Sequence, residues 1–242
     1  MSKRVAQKQA NRVVREQLAA ERRRTRTLWI TIGAALVLLV AGIVGWGVYK
    51  SQQPETFASP AAVTDVGGDK GGLTVAGNGS VPVEVYLDFL CPHCRDFEAS
   101  TSDTLNQLAA QNKIHLVWHT LGFLDSASAP PGYSTRAANA AACASDGGKL
   151  AQYGAALFAN QPAEGGPGLT DDQLVDLGGP VGLNAPSFAQ CVRNGTYEPW
   201  VANVNAEAAR RNVNSTPTVY VDGKLLDNPT ADNIRAAVSA AS

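Results

Sequence analysis

Residues 81–98 read VPVEVYLDFLCPHCRDFE, an apolar run that ends at two cysteines enclosing Pro92 and His93. Positions 81–90 are rich in β-branched and aromatic residues, a composition that predicts a strand. Pro92 suits the first position of a helix, where no N–H donor is needed. The residues that follow place Phe97, Leu105 and Leu108 on one apolar face, so a helix is expected to begin at the cysteines. A sulfur at that point meets unpaired backbone N–H groups and the positive end of the helix dipole. Both favour the thiolate, the species that attacks a disulfide. The pattern therefore predicts Cys91 as an exposed attacking sulfur, Cys94 as the resolving one, and His93 as a second source of positive potential. Leu90 and Pro92 are expected to flank Cys91 in an apolar substrate patch.

A CxxC pair can also be a metal clamp or a structural staple, and its compartment bears on which. Residues 28–49, LWITIGAALVLLVAGIVGWGVY, carry no charge. Twenty-two helical residues span roughly 33 Å, enough to cross a hydrocarbon core of about 30 Å. Residues 1–50 hold ten Lys/Arg against Glu16 and Glu21, a balance of +8; the whole chain is −1, which leaves −9 for residues 51–242. The basic flank predicts a cytoplasmic tail (residues 1–27), a retained transmembrane anchor (28–49) and an exported C-terminal part. A cleaved signal peptide fits less well, because the apolar run exceeds the usual h-region and no small-residue site closely follows it. The basic tail is explained as a topology signal, so no nucleic-acid partner is expected. All four cysteines, Cys91, Cys94, Cys143 and Cys191, then lie outside the reducing cytosol, where disulfide chemistry is favoured.

Residues 50–72, rich in Gly, Pro and polar side chains, read as a linker. The remainder, 73–242, is long enough for one domain with its own core. After the CxxC helix, KIHLVWHTLGF (113–123) predicts a second buried strand, residues 134–160 and 170–194 a helical block, and 196–212 a further helix. STPTVYVDGKLL (215–226) predicts two strands about an Asp222-Gly223 turn. Thr230 is the expected N-cap of a last helix. The predicted fold class is α/β: a strand–helix–strand half and a strand–strand–helix half, with a helical insertion at about 130–200.

Cys91, Cys94, His115 and His119 spell C-x2-C-x20-H-x3-H. On a strand, positions four apart are separated by about 13 Å, too far for two imidazoles to share one ion, so no metal site is expected. A structural Cys91–Cys94 bridge would close too small a loop to constrain the unfolded chain. Cys143 and Cys191 are 48 residues apart in the helical block. A disulfide pinning that block is the main expectation, and a second redox pair is the rival.

Cys91-Pro92-His93-Cys94 after an apolar strand, with Thr216-Pro217 opening a late strand, resembles the DsbA-like thiol–disulfide oxidoreductases of the thioredoxin superfamily. VYLDFLCPHC and TPTVYVDGK are similar to membrane-anchored actinobacterial members. The resemblance covers most of residues 73–242 and implies a thioredoxin fold. It also implies a cis Thr216-Pro217 peptide that faces the CxxC and binds extended substrate. The implied activity is disulfide donation to unfolded exported proteins, without a cofactor, with reoxidation by a DsbB-like or VKOR-like membrane oxidase. A monomer is expected. A reductase, an isomerase or a non-catalytic thioredoxin-like assembly module are the alternatives. Many thioredoxin-like proteins carry a buried acid six residues before the first cysteine. Here that position is Val85, Glu84 is expected to face the other way, and neither Asp88 nor Glu98 is singled out as the proton carrier.

Overall fold

The structure is a computed structural model of the 242-residue chain, and it describes residues 29, 32, 33, 36–46, 57–66 and 69–242. It divides into two units, residues 1–56 and 57–242. Within the expected anchor, the described residues are helical with exposed side chains. No helix among the described residues is long and apolar enough to cross a membrane. The basic tail and the rest of that stretch lie outside the described residues.

The second unit is built on a six-stranded sheet of order β1-β2-β4-β3-β5-β6. Its strands are β1 (Val63–Val66), β2 (Asp69–Ala76), β3 (Val81–Leu87), β4 (Ile114–Thr120), β5 (Thr218–Val221) and β6 (Lys224–Leu225). β3 and β4 are parallel, and every other pair is antiparallel. A parallel pair needs a crossover, supplied here by helix α1 (Pro92–Ala110), the helix expected at the cysteines. The β5–β6 turn falls where it was expected, with Asp222 and Gly223 at φ 50° and 73°. That is the geometry two-residue hairpins favour. In the central strand β3 every residue but Pro82 is buried. Helix α7 (Ala231–Ala241) packs on β5 and α1, and the Thr230 side chain caps its first turn.

The expected linker does not extend to residue 72. β1 and the start of β2 fall inside it and add an antiparallel hairpin to the outer edge of β4. Glycine there reflects close packing: a Cβ on Gly72 would collide with the Val117 side chain and crowd the His119 ring.

Between β4 and β5 lies the helical block: α2 (Tyr133–Asp146), α3 (Leu150–Ala159), α4 (Asp171–Asp176), α5 (Pro186–Arg193) and α6 (Glu198–Arg210). α2 is its axis, in contact with all four others. Its alanines 137, 138, 140, 141, 142 and 144 have no exposed surface, and their small side chains let the surrounding helices approach. Cys143 on α2 and Cys191 on α5 form a disulfide with their Cα atoms 5.9 Å apart. Buried Asn139 ties the same elements together. Its amide donates to Val192 O at 3.2 Å, and its carbonyl accepts from Tyr197 N–H at 2.8 Å.

Candidate active site

β3 ends at Leu87, and the chain turns through Asp88, Phe89 and Leu90 into Cys91, which occupies the N-cap of α1 with Pro92 in its first turn. No side chain caps that end, and the backbone N–H groups of His93 and Cys94 lie beside the sulfur. The Cys91 thiol drops from the model-compound value of 9.0 to about 5. The largest cause is a hydrogen bond from the Cys94 thiol; burial opposes it, and Thr216 and the backbone N–H groups of Cys94 and His93 add to the lowering. Cys94 moves the opposite way: burial and the neighbouring Cys91 charge push its thiol far above the ordinary range. Neither sulfur is bonded in this structure.

Three expectations are modified. Cys91 is only 5% exposed, so the attacking sulfur is reached through a cleft rather than displayed on the surface. Leu90 has no exposed surface and is a core residue, because its side chain turns under the loop while its N–H is held by Asp88. It cannot belong to a substrate patch. His93 is exposed, and its contribution to the lowered Cys91 thiol is its backbone N–H rather than its ring.

The cleft that leads to Cys91 has a volume of about 510 Å³. Pro92, Phe123 and Leu124 give it apolar wall, and Asn214, Ser215 and Thr216 close the far side. The Thr216–Pro217 peptide is cis, as is Ala129–Pro130. The Thr216 carbonyl accepts from the Cys91 thiol at 3.3 Å, which joins two segments 125 residues apart in the chain.

Three supports of this site carried little local signal in the sequence. Asp88 is fully buried and accepts hydrogen bonds from Leu90 N–H (2.8 Å), Leu124 N–H (2.9 Å) and Ser134 Oγ (2.7 Å). Burial raises its carboxyl to about 6 against the pull of those donors. An acid directly after a strand with a single other charge, Glu84, is the one sequence cue that marked it. Gln161, beyond α3, donates from Nε2 to Phe89 O at 3.0 Å and Cys91 O at 2.9 Å, clamping the loop from the helical block. Phe89 meanwhile packs on Phe158 of α3, ring centroids 5.0 Å apart. Nothing near Gln161 in the sequence foretold either contact.

Val85 is buried in the core, so no acid occupies its position. Burial alone would raise the Glu84 carboxyl, but His119 and Arg211 outweigh it and hold Glu84 below its usual range. Their bonds to Glu84 Oε2 are 3.2 and 2.6 Å. His119 also stacks on Tyr86, and His115 pairs with Thr74 Oγ1 at 3.0 Å. These two histidines are thus engaged with the sheet. Glu98 is half-buried, and burial raises it to about 7.

A family profile described as Thioredoxin matches residues 72–240. Solved structures agree. The reduced form of the disulfide oxidoreductase DsbG of Mycobacterium tuberculosis is 30% identical with a TM-score of 0.60, over 75% of this chain and 84% of that one. Oxidised DsbA of the same organism is 30% identical with a TM-score of 0.60, over 76% and 90%. The MdbA thiol-disulfide oxidoreductase of Corynebacterium diphtheriae, 22% identical with a TM-score of 0.59 over 78% and 98%, shares the fold. The serine/threonine-protein kinase PknE of M. tuberculosis is 30% identical over 156 residues, 60% of this chain; the match spans only 27% of the kinase. With the profile covering strands β3 to β6 and both cysteine pairs, the chain belongs to the thioredoxin family, among its DsbA-like thiol–disulfide oxidoreductases.

Proposed function

We propose that the protein donates disulfides to unfolded exported proteins through the Cys91-Pro92-His93-Cys94 pair, from a membrane-anchored position outside the cytosol. The observation that carries this reading is the opposite displacement of the two thiols, Cys91 to about 5 and Cys94 upward. At neutral pH reduced Cys91 is a thiolate. Roughly two pH units separate pH 7 from that value, worth on the order of 3 kcal/mol in favour of the reduced form at 1.36 kcal/mol per unit. For a two-electron couple this makes the disulfide more oxidising by about 60 mV.

The exchange balances as follows. A substrate thiolate attacks Cys91 Sγ of the disulfide, the bond to Cys94 breaks, and Cys94 takes the electron pair and a proton, since its surroundings disfavour the anion. The substrate's second thiolate attacks its own sulfur in the mixed disulfide and releases Cys91 as a stable thiolate. Two electrons pass from substrate to the pair, and a DsbB-like or VKOR-like membrane oxidase would remove them again. Pro92, Thr216 and Pro217 would hold the substrate backbone extended along the cleft, and the His93 backbone N–H would help hold Cys91 as the thiolate.

In cells producing Cys94→Ser, mixed disulfides through Cys91 should accumulate, sediment with the membrane and be cleaved by protease added outside. Cys91→Ser should form none. Trapped complexes confined to the cytosol, or equal trapping by both variants, would contradict the proposal.

A further inference from the structure

The segment Gln161 to Gly168 has the Gly/Pro-rich composition of a loose connection, yet it is fastened along its length. Gln161 holds the two carbonyls of the catalytic loop. Gly165 N–H donates to Ala127 O at 2.6 Å, and Ala129 N–H donates to Gly166 O at 2.8 Å. Gly168 lies at φ 71° with the Tyr133 side chain where its own Cβ would stand, so the strap turns close against α2. Between these fastenings Glu164 stands on the wall of the cleft that contains Cys91. Its side chain is exposed and has no hydrogen-bond or ion-pair partner among the described residues. Among the described residues lining the cleft it is the only carboxylate, set against the apolar surface of Phe123 and Leu124.

We propose that Glu164 is a specificity-determining residue that makes the cleft favour substrate segments carrying Lys or Arg close to the reacting cysteine. This rests on the disulfide-donor reading above. Long cationic side chains lay an apolar stem on apolar surface and keep the charged head in water. Phe123 and Leu124 offer that surface, and Glu164 offers the counter-charge. Substrate thiols flanked by Asp or Glu meet repulsion instead, which grows once Cys91 departs as a thiolate. An exposed pair of this kind is worth a factor of about two to five in rate. It should fade with salt, since the screening length is about 10 Å at 0.1 M and about 3 Å at 1 M.

The test mixes the oxidised full chain with reduced two-cysteine peptides that differ only in flanking Lys, Gln or Glu, and follows peptide oxidation by stopped flow. Flanking Lys also lowers a peptide's own thiol pKa, so the quantity that decides is the change in the Lys-to-Glu rate ratio between variants. The expected result is a ratio that falls about two- to fivefold in Glu164→Gln, falls further in Glu164→Lys, and loses this dependence on residue 164 at 1 M salt. A ratio that is the same in all three proteins while the peptides are still oxidised overturns the proposal. If the unmodified chain oxidises none of the peptides, the disulfide-donor reading fails instead, and the two failures are distinct.

Discussion

Asp88 lies three residues before Cys91, and its two oxygens serve three donors drawn from the catalytic loop, the cleft wall and helix α2. Asp88→Ala would leave those donors without partners, at a cost of about 1–3 kcal/mol for each buried group. The gain from no longer burying a carboxyl raised from 3.8 to about 6 offsets part of this, on the order of 3 kcal/mol at 1.36 kcal/mol per unit. A net loss of about 2 kcal/mol at pH 7 is expected, read as a lower urea midpoint. A raised carboxyl costs stability above its folded pKa, and that cost disappears as the pH falls toward the unfolded value. The native protein therefore gains from pH 7 to pH 5 while the variant does not, and the gap should widen by about 1 kcal/mol. A gap that narrows on acidification would show that Asp88 is not the strained group. At this scale the sequence marked the reacting sulfurs but not their exposure. Leu90 and Cys91 were both expected at the surface because strand alternation cannot say where the following loop turns. Gln161 reaches the site through hydrogen bonds that span some 70 residues of sequence, and Glu164 only by lying on the cleft wall, neither of which leaves a local periodicity to read.

Among the elements, β3, α1, β4, the β5–β6 hairpin and α7 were legible, because each carries its own pattern of apolar spacing, turn chemistry or capping. β1 and β2 were not. Their sequence, VTDVGGDKGGLTVA, has too few apolar residues to signal a strand, and what makes it one is the open edge of β4. The Cys143–Cys191 bridge in the helical block closes a loop of 48 residues, for which chain entropy gives about 4 kcal/mol. The double variant Cys143→Ser/Cys191→Ser should melt about 10 °C lower, at a few degrees per kcal/mol for a domain of this size. The Asn139 hydrogen bonds across the same helices should keep the block assembled. Peptide oxidation by Cys91 and Cys94 should persist below the new melting point. Its loss in a folded variant would instead identify the second pair as an electron relay.

For the whole molecule, the chemistry depends on parts brought together from across the chain. The CxxC comes from the first half of the fold, the cis Thr216–Pro217 peptide from the second, and the clamp and cleft wall from the block between them. The proposed anchor and outward orientation add the setting in which an oxidising dithiol has substrates. These strands meet in one quantity, the reduction potential of the Cys91–Cys94 couple. It is measured by equilibrating the full chain against glutathione buffers across pH, with mass spectrometry separating this pair from Cys143–Cys191. The account predicts a potential at pH 7 well above thioredoxin's value of about −270 mV, toward the roughly −120 mV of DsbA. It also predicts a slope of about 59 mV per pH unit below pH 5, where two protons accompany two electrons, falling to about 30 mV above it, where Cys91 stays ionised and Cys94 does not. A potential near −270 mV, with the steeper slope persisting to pH 8, would contradict it.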